Sequence, residues 1–299
     1  MKNFPLFIYH ISIFMSAKLI TQYEKLFIGT AGVPESAKDS STESGIIRIR
    51  ELNLDCMEVE FVKGVRIKEE RAIKIKELAE EKKVFLSIHA PYWINLNTKE
   101  KSKFKNSLKH IYDSAKIGYL MGAYEICFHS AYLHGDDLKS VRKKVKEALL
   151  YILEKLDKEN VKVRLRPETM GKPTQYADLE ELLELSLEFK GEVEPCLDFA
   201  HLYARSLGKI NGYNEFLKII EEYEKALGKD SLKRMHIHIS GMEYGEKGEK
   251  KHLIFKKSKF KYKDALKVLK EKDVRGFLIC ESPVLEKDAL ILKREYKKI

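Results

Sequence analysis

Residues 84–89 read Val-Phe-Leu-Ser-Ile-His, a short apolar run that stops on a histidine and is broken at once by Ala90 and Pro91. A run of this length, bounded by a breaker, reads as a buried strand. Seven similar runs flank it, at 26–29, 56–61, 124–129, 161–166, 193–198, 235–239 and 277–281. Between them lie segments with apolar residues at i, i+3, i+4 spacing and charge elsewhere, clearest at 69–82, 138–158, 179–189, 214–227 and 262–272. A charged helix is expected from Leu285 onward. Eight strand-like runs, each followed by a helix, predict an α/β chain folded as a single (β/α)8 TIM barrel. An open doubly wound sheet does not need eight units, and no G-x-G-x-x-G follows the first run.

No linker rich in Pro, Gly or Ser divides the sequence, so residues 25–299 are expected to form one domain. Residues 1–24 read as an N-terminal extension expected to lie outside the core. Its apolar stretch 4–15, FPLFIYHISIFM, lacks a convincing cleavage site and is too short to span a bilayer. Met15 offers an alternative translation start. Hydrophobic residues make up 44% and charged residues 34% of the chain, which excludes a disordered or collagen-like protein. The formal net charge of +10 favours a polyanionic partner, but surfaces rich in both Lys and Glu also mark adaptation to heat. The four cysteines, Cys56, Cys127, Cys196 and Cys280, are widely spaced and form no Cys-x-x-Cys pair, which fits a reducing, cytoplasmic setting.

Function is carried by the residues that end the strands. The third run ends on His89, the fourth on His129, and the fifth leads into Arg-Pro-Glu-Thr with Glu168. The sixth ends Cys-Leu-Asp-Phe-Ala-His, giving Asp198 and His201; the seventh holds His236 and His238; the eighth ends on Glu281. Six consecutive strands thus finish in a metal-type ligand, about 30–43 residues apart, and a barrel brings all those ends to one mouth. Imidazole and carboxylate donors without thiolate suit zinc, with manganese as the alternative. His236 and His238 share a side of their strand by parity, and His238, directly before the strand stops, is the expected ligand.

The segment 243–263, EYGEKGEKKHLIFKKSKFKYK, adds eight lysines interleaved with Phe255, Phe260 and Tyr262, together with His252. Lysines neutralise phosphates and aromatics stack on bases or wedge into a duplex, so this loop, and Lys256, Lys257 and Lys259 in particular, is expected to contact nucleic acid.

From about Phe27 to the C-terminus the chain resembles the endonuclease IV family of abasic-site DNA-repair nucleases, a branch of the xylose-isomerase-like barrels. The resemblance rests on HAPYWINL at 89–96, Phe128-His129, Pro167-Glu168-Thr169, CLDFAH at 196–201, His238-Ile239-Ser240 and Cys280-Glu281-Ser282-Pro283. It implies a zinc cluster of two or three ions. His89, His129 and Glu168 would hold one ion, with Glu168 bridging to a second held by Asp198, His238 and Glu281. His201 and His252 would hold a third, and Tyr92 would touch the DNA. Glu168 and Glu281 would act as the orienting catalytic ligands, with metal-activated water as nucleophile. Two departures stand out. The family places an Asp two residues before the histidine that matches His252, where this chain has Lys250; the third site keeps a carboxylate only if Glu249 takes its place. The fifth strand leads into Arg-Pro-Glu-Thr-Met-Gly-Lys rather than the usual Glu-Asn-Thr.

The expected activity is hydrolysis of the phosphodiester 5′ to abasic sites, with damaged double-stranded DNA as partner, no membrane and no protein partner, and a monomeric chain. The alternative is a single-metal sugar isomerase or epimerase built on Glu168, Asp198, His238 and Glu281. A third reading is a metal-bound DNA-binding protein that has lost turnover.

Overall fold

The computed structural model describes residues 22–299. Eight parallel strands run β1 (Leu26–Ala31), β2 (Cys56–Glu60), β3 (Phe85–His89), β4 (Glu125–Phe128), β5 (Arg164–Pro167), β6 (Cys196–Asp198), β7 (Met235–Ile239) and β8 (Gly276–Cys280). Each pairs with its neighbours in sequence, and β8 returns to β1. The last seam, β5 to β6, is made by the single bridges Leu165–Val193 and Glu168–Cys196, which close the ring. The chain is therefore the TIM barrel expected from its alternation of runs. β6 is shorter than its apolar run because Pro195 has no N–H to give to the ladder. Gly29 is required where β1 meets β2, since a Cβ there would stand 1.8 Å from the Cys56 carbonyl oxygen.

Helices α1 (Thr42–Glu51), α2 (Glu69–Lys82), α3 (Lys101–Leu120), α4 (Leu138–Lys158), α5 (Leu179–Ser186), α6 (Phe199–Arg205), α7 (Tyr213–Leu227), α8 (Tyr262–Glu271) and α9 (Glu286–Lys298) follow the strands. In α4 the buried residues are Val141, Val145, Ala148, Leu149, Ile152 and Leu156, a stripe at helical spacing, while Asp137 caps the first turn by accepting from the Ser140 N–H. Such stripes pack on the outward side chains of the strands, among them Ile28, Met57, Ile88, Ile126, Leu165 and Ile237, and this layer is the main hydrophobic core. None of the helices among the described residues is long and apolar enough to cross a membrane.

The inside of the barrel is different. Barrel interiors are ordinarily filled by layers of branched apolar side chains. Here only the floor is apolar, built from Tyr23, Phe27, Cys56, Phe277 and Ile279, with Phe85 stacked on Phe27. Tyr23, which the sequence reading assigned to the extension, is buried in this floor and sends its hydroxyl to Glu125 Oε1 at 2.8 Å; residues 1–21 lie outside the described residues. Above the floor, Arg164 Nη1 bonds Glu125 Oε1 at 2.7 Å and Arg166 Nε bonds Glu125 Oε2 at 2.6 Å. Arg166 continues to Glu194 at 3.3 Å, and Arg234 reaches the same Glu194 at 2.7 Å. These charges are nearly water-free, so each is tolerable only because its partners are in place.

Arg166→Ala should therefore destabilise the fold by about 3–5 kcal/mol, the cost of stranding a buried charge. Urea unfolding of Arg166→Ala, Glu125→Ala and the double variant should give non-additive losses, coupled by about 0.5–3 kcal/mol. Strict additivity would show that the two side chains do not act as a unit.

Candidate metal centre

The C-terminal ends of β3 to β8 converge around one carboxylate. Glu168, the residue after β5, is fully buried. Its Oε2 lies 3.2 Å from His89 Nε2 and 3.1 Å from His129 Nε2. Its Oε1 lies 3.2 Å from both His238 Nδ1 and His201 Nδ1. Glu168, Asp198, His238 and Glu281 bring ligand atoms within 4.8 Å of one another, as do Asp198, His201 and His252. Burial alone would raise the Glu168 carboxyl, but His238 and His129 outweigh it and hold it well below the ordinary carboxylate range. Glu281 goes the other way: burial pushes its carboxyl well up, His238 opposes this, and nearby Glu168 and Asp198 reinforce it.

The histidines are aimed by the backbone. A carbonyl can only accept, so a ring nitrogen facing one must carry the proton. His89 Nδ1 donates to the Ala90 carbonyl at 2.7 Å, His201 Nδ1 to the Thr169 carbonyl at 2.9 Å, and His252 Nδ1 to the Glu281 carbonyl at 3.0 Å. Each of the three therefore turns its Nε2 away from the backbone and towards the acids and imidazoles of the mouth. Asp198 is fixed in a similar way. It caps α6 by accepting the His201 N–H at Oδ1, 2.7 Å away, which leaves Oδ2 buried with no hydrogen bond, 3.4 Å from His201 Nδ1. Glu281 Oε2 is likewise buried with no hydrogen bond, 3.9 Å from His252 Nδ1.

The segment expected to be a lysine-rich loop begins as a β-hairpin, Gly241–Gly245 paired with Gly248–Leu253. Met242 faces His252, Glu243 faces Lys251, and Tyr244 faces Glu249, so Lys250 is the extra residue of a β-bulge. Paired residues share a face, and Met242 and Tyr244 share one by parity; the bulge therefore puts Glu249 on the same face as His252. Glu249 Oε2 lies 3.6 Å from His201 Nε2, while Lys250 turns to the other side, 4.0 Å from Glu243. The hairpin is seated by a bond from the Glu249 N–H to the Gly171 carbonyl, 3.0 Å long, and Gly248 (φ +88°) comes so close there that any Cβ would strike that oxygen.

A cavity of about 500 Å³ opens over these groups, and His129, His201, Glu249, His252, Glu281 and Lys172 are among its walls. Tyr92 stands half-exposed at the rim with its hydroxyl 3.3 Å from Glu60 Oε2. Lys256, Lys257 and Lys259 lie beyond the hairpin and do not line the cavity. The aromatics of that segment are committed elsewhere. Phe255 is buried and stacks on Tyr262, and Phe260 is buried against Tyr203 and Phe216, so neither phenylalanine is available to a base.

Sequence reasoning missed β2. Glu58 and Glu60 alternate on its inward face, a parity signal inside an otherwise apolar run. Glu58 is fully buried, 2.8 Å from both His236 Nε2 and His238 Nε2. Burial pushes the Glu60 carboxyl up to about 7, with His89 opposing and Glu58 adding to the rise. Lys172, whose position in the cavity follows from the path of the loop after β5, had no such signal.

This donor set fits divalent cations. Imidazole nitrogens and carboxylate oxygens dominate it, but the sequence expectation of a site without sulfur does not hold: the buried Cys127 Sγ lies 3.8 Å from Glu168 Oε2, and Cys127 and Cys196 come within 4.8 Å of a His238 nitrogen. Carboxylate oxygens of Glu60, Asp198 and Glu281 are buried there with no hydrogen bond. Like charges packed this closely are mutually destabilising unless protons or cations lie among them.

The chain is 46% identical to an uncharacterized protein of Methanocaldococcus jannaschii over 92% of this chain and 98% of that one. It is 29% identical to a probable endonuclease 4 of Methanosphaera stadtmanae, over 52% of this chain and 55% of that protein. The match thus spans about half the length of that endonuclease 4 relative. Among solved structures, endonuclease IV from Thermus thermophilus superposes with a TM-score of 0.68 at 17% identity, covering 91% of this chain and 98% of that one. A D-tagatose 3-epimerase-like protein superposes with a TM-score of 0.66 at 20% identity, covering 90% and 96%. At those identities the superpositions establish the fold. Residues 46–297 match the xylose isomerase-like TIM barrel model, and the chain belongs to that family.

Proposed function

We propose that the protein is a metal-dependent phosphodiesterase that cuts duplex DNA on the 5′ side of abasic sites, using two or three zinc ions. The observation that carries this reading is the two-sided use of Glu168, with His89 and His129 on one oxygen and His238 and His201 on the other. A one-ion epimerase centre needs only Glu168, Asp198, His238 and Glu281. It gives no task to His89 and His129, nor to the His201, His252 and Glu249 group on the far side of the mouth. The sequence match to a probable endonuclease 4 supports the same choice.

In this reading His89, His129 and Glu168 hold one ion, and Glu168, Asp198, His238 and Glu281 hold a second. His201, His252 and Glu249 hold the third. Bound zinc supplies Lewis acidity towards water and neutralises phosphate charge. The chain's own part is geometric. Glu168 and Glu281 fix the spacing of the centre, the backbone carbonyls hold three imidazoles in one tautomer, and Lys172 adds positive charge to the wall of the cavity. Tyr92, at the rim, presents a ring and a hydroxyl to the strand carrying the lesion. An abasic nucleotide costs little to extrude, and a cavity of about 500 Å³ set among these walls takes a bare sugar more readily than a stacked base.

Purified protein should incise an abasic duplex, lose the activity on chelation and regain it with zinc. Glu168→Gln should lower the rate by more than about 100-fold, the upper range for losing even an outer metal partner. Turnover of ketoses with one ion per chain would replace this reading with the epimerase; salt-sensitive DNA binding with no incision would replace it with the non-catalytic binder.

Metal analysis separates the two charged candidates of the hairpin. Glu249→Ala should reduce the bound ions by one per chain, whereas Lys250→Ala should leave the count unchanged. The lysines beyond the hairpin have a test of their own. Changing Lys256, Lys257 and Lys259 to Gln should flatten the dependence of log K on log[salt] by up to about 2.7, the value for three phosphate contacts. Equal changes at Lys143, Lys155 and Lys158 of α4 should leave the slope alone.

A further inference from the structure

Among the mouth histidines with an anchored ring, His238 is turned the other way. His89, His201 and His252 each spend Nδ1–H on a backbone carbonyl and present Nε2. His238 instead presents Nδ1, 3.2 Å from Glu168 and 3.3 Å from Glu281, so its Nε2 points down into the barrel, where no carbonyl receives it. What it meets there is Glu58 Oε1, 2.8 Å away. The approach is short but not in line, and neither atom has an aligned hydrogen bond to any other group. The second oxygen of Glu58 is clamped, accepting from the Ser87 hydroxyl at 2.8 Å and facing His236 Nε2 at 2.8 Å. All four side chains are fully buried.

We propose that Glu58 is a positioning residue for the metal centre. It receives the Nε2–H of His238 and so keeps the proton off Nδ1, doing for this ligand what backbone carbonyls do for the others; His236 and Ser87 hold Glu58 in place. A carboxylate behind a ligating imidazole fixes both the ring and its tautomer and raises its basicity. This inference rests on the metal-centre reading, in which His238 is a ligand. It also explains two observations that reading leaves idle: an acid buried beneath the mouth, and a second histidine, His236, two residues below the ligand. Neither Glu58 nor His236 lines the cavity.

The first test reads which nitrogen the metal takes. Two-bond ¹H–¹⁵N correlation spectra of the zinc-loaded protein should show His238 bound through Nδ1 and protonated at Nε2 in the native chain, and a mixture of the two forms, or Nδ1–H with Nε2 bound, in Glu58→Ala. The second is a competition titration with zinc against a chromogenic chelator. Glu58→Ala should weaken one ion of the set about 10–100-fold, while Glu58→Gln, whose amide oxygen still accepts the Nε2–H, should recover most of that loss. Ser87→Ala, which loosens Glu58 but leaves His236 on the same oxygen, should fall between the native value and that of Glu58→Ala. An Nδ1–H tautomer in the native protein overturns the proposal. So does equal zinc affinity in Glu58→Ala and the native chain, or equal loss in the Ala and Gln variants. If the native chain bound no zinc at all, the metal reading itself would fail; zinc binding that is indifferent to Glu58 overturns this inference alone.

Discussion

A carboxylate with no access to water is tolerable only among groups that answer its charge, and Glu168 meets that condition with four imidazoles at 3.1–3.2 Å. Those rings come from β3, the end of β4, α6 and β7, so the residue can be buried only when the barrel is closed. Glu168 is also part of that closure. Its N–H bonds the Phe128 carbonyl, the next residue bonds Cys196, and its own bridge to Cys196 makes half of the seam between β5 and β6. The hub of the site and the last joint of the barrel are one residue. The geometry of the centre and the closure of the barrel therefore depend on the same residue.

The interior below the hub follows from the same constraint. A barrel filled with aliphatic layers would give the mouth a low-dielectric floor, beneath which Glu58 and the imidazoles would have no partners. Instead polarity continues downward through Glu58 and His236 to the Arg166, Glu125 and Glu194 network, and apolar filling resumes only at Phe27, Phe277 and Tyr23. Each layer supplies partners for the one above. The main hydrophobic contribution is moved outward, to the layer between strands and helices, where the branched residues of every strand meet helical stripes such as that of α4.

Much of this was legible in the sequence. The eight runs pointed to the fold because strand and helix periods differ, and the strand-end ligands were visible because each lies at a boundary between an apolar run and a breaker. Parity put His236 and His238 on one side of β7, and in the register of that strand His238 lies a full repeat nearer the mouth. The same parity, in Cys-Met-Glu-Val-Glu of β2, puts Glu58 and Glu60 on the inward face, but Glu58 lies inside the run rather than at a boundary with a breaker. Phe255 and Phe260 read as exposed because they stand between lysines; Phe260 is buried by α6 and α7, which are distant in sequence, and Phe255 by its stack on Tyr262 at the start of α8. Tyr23 was assigned to the extension for a similar reason, since its partners Phe277 and Glu125 are far along the chain.

The bulge at Lys250 was beyond any reading of periodicity, because a bulge is an interruption of period. In the hairpin, the choice between an anion and a cation facing His201 is made by one unpaired residue, since Glu249 and Lys250 are neighbours with opposite charge. Losing a single residue from the opposite arm or the turn, or regularising the ladder, would swing Lys250 inward and Glu249 out, inverting the charge on that wall with every amino acid of the strand retained. The chemistry of the wall is thus encoded in backbone count as much as in side-chain identity. Relatives that differ by one residue in this hairpin can carry opposite polarities behind nearly the same letters.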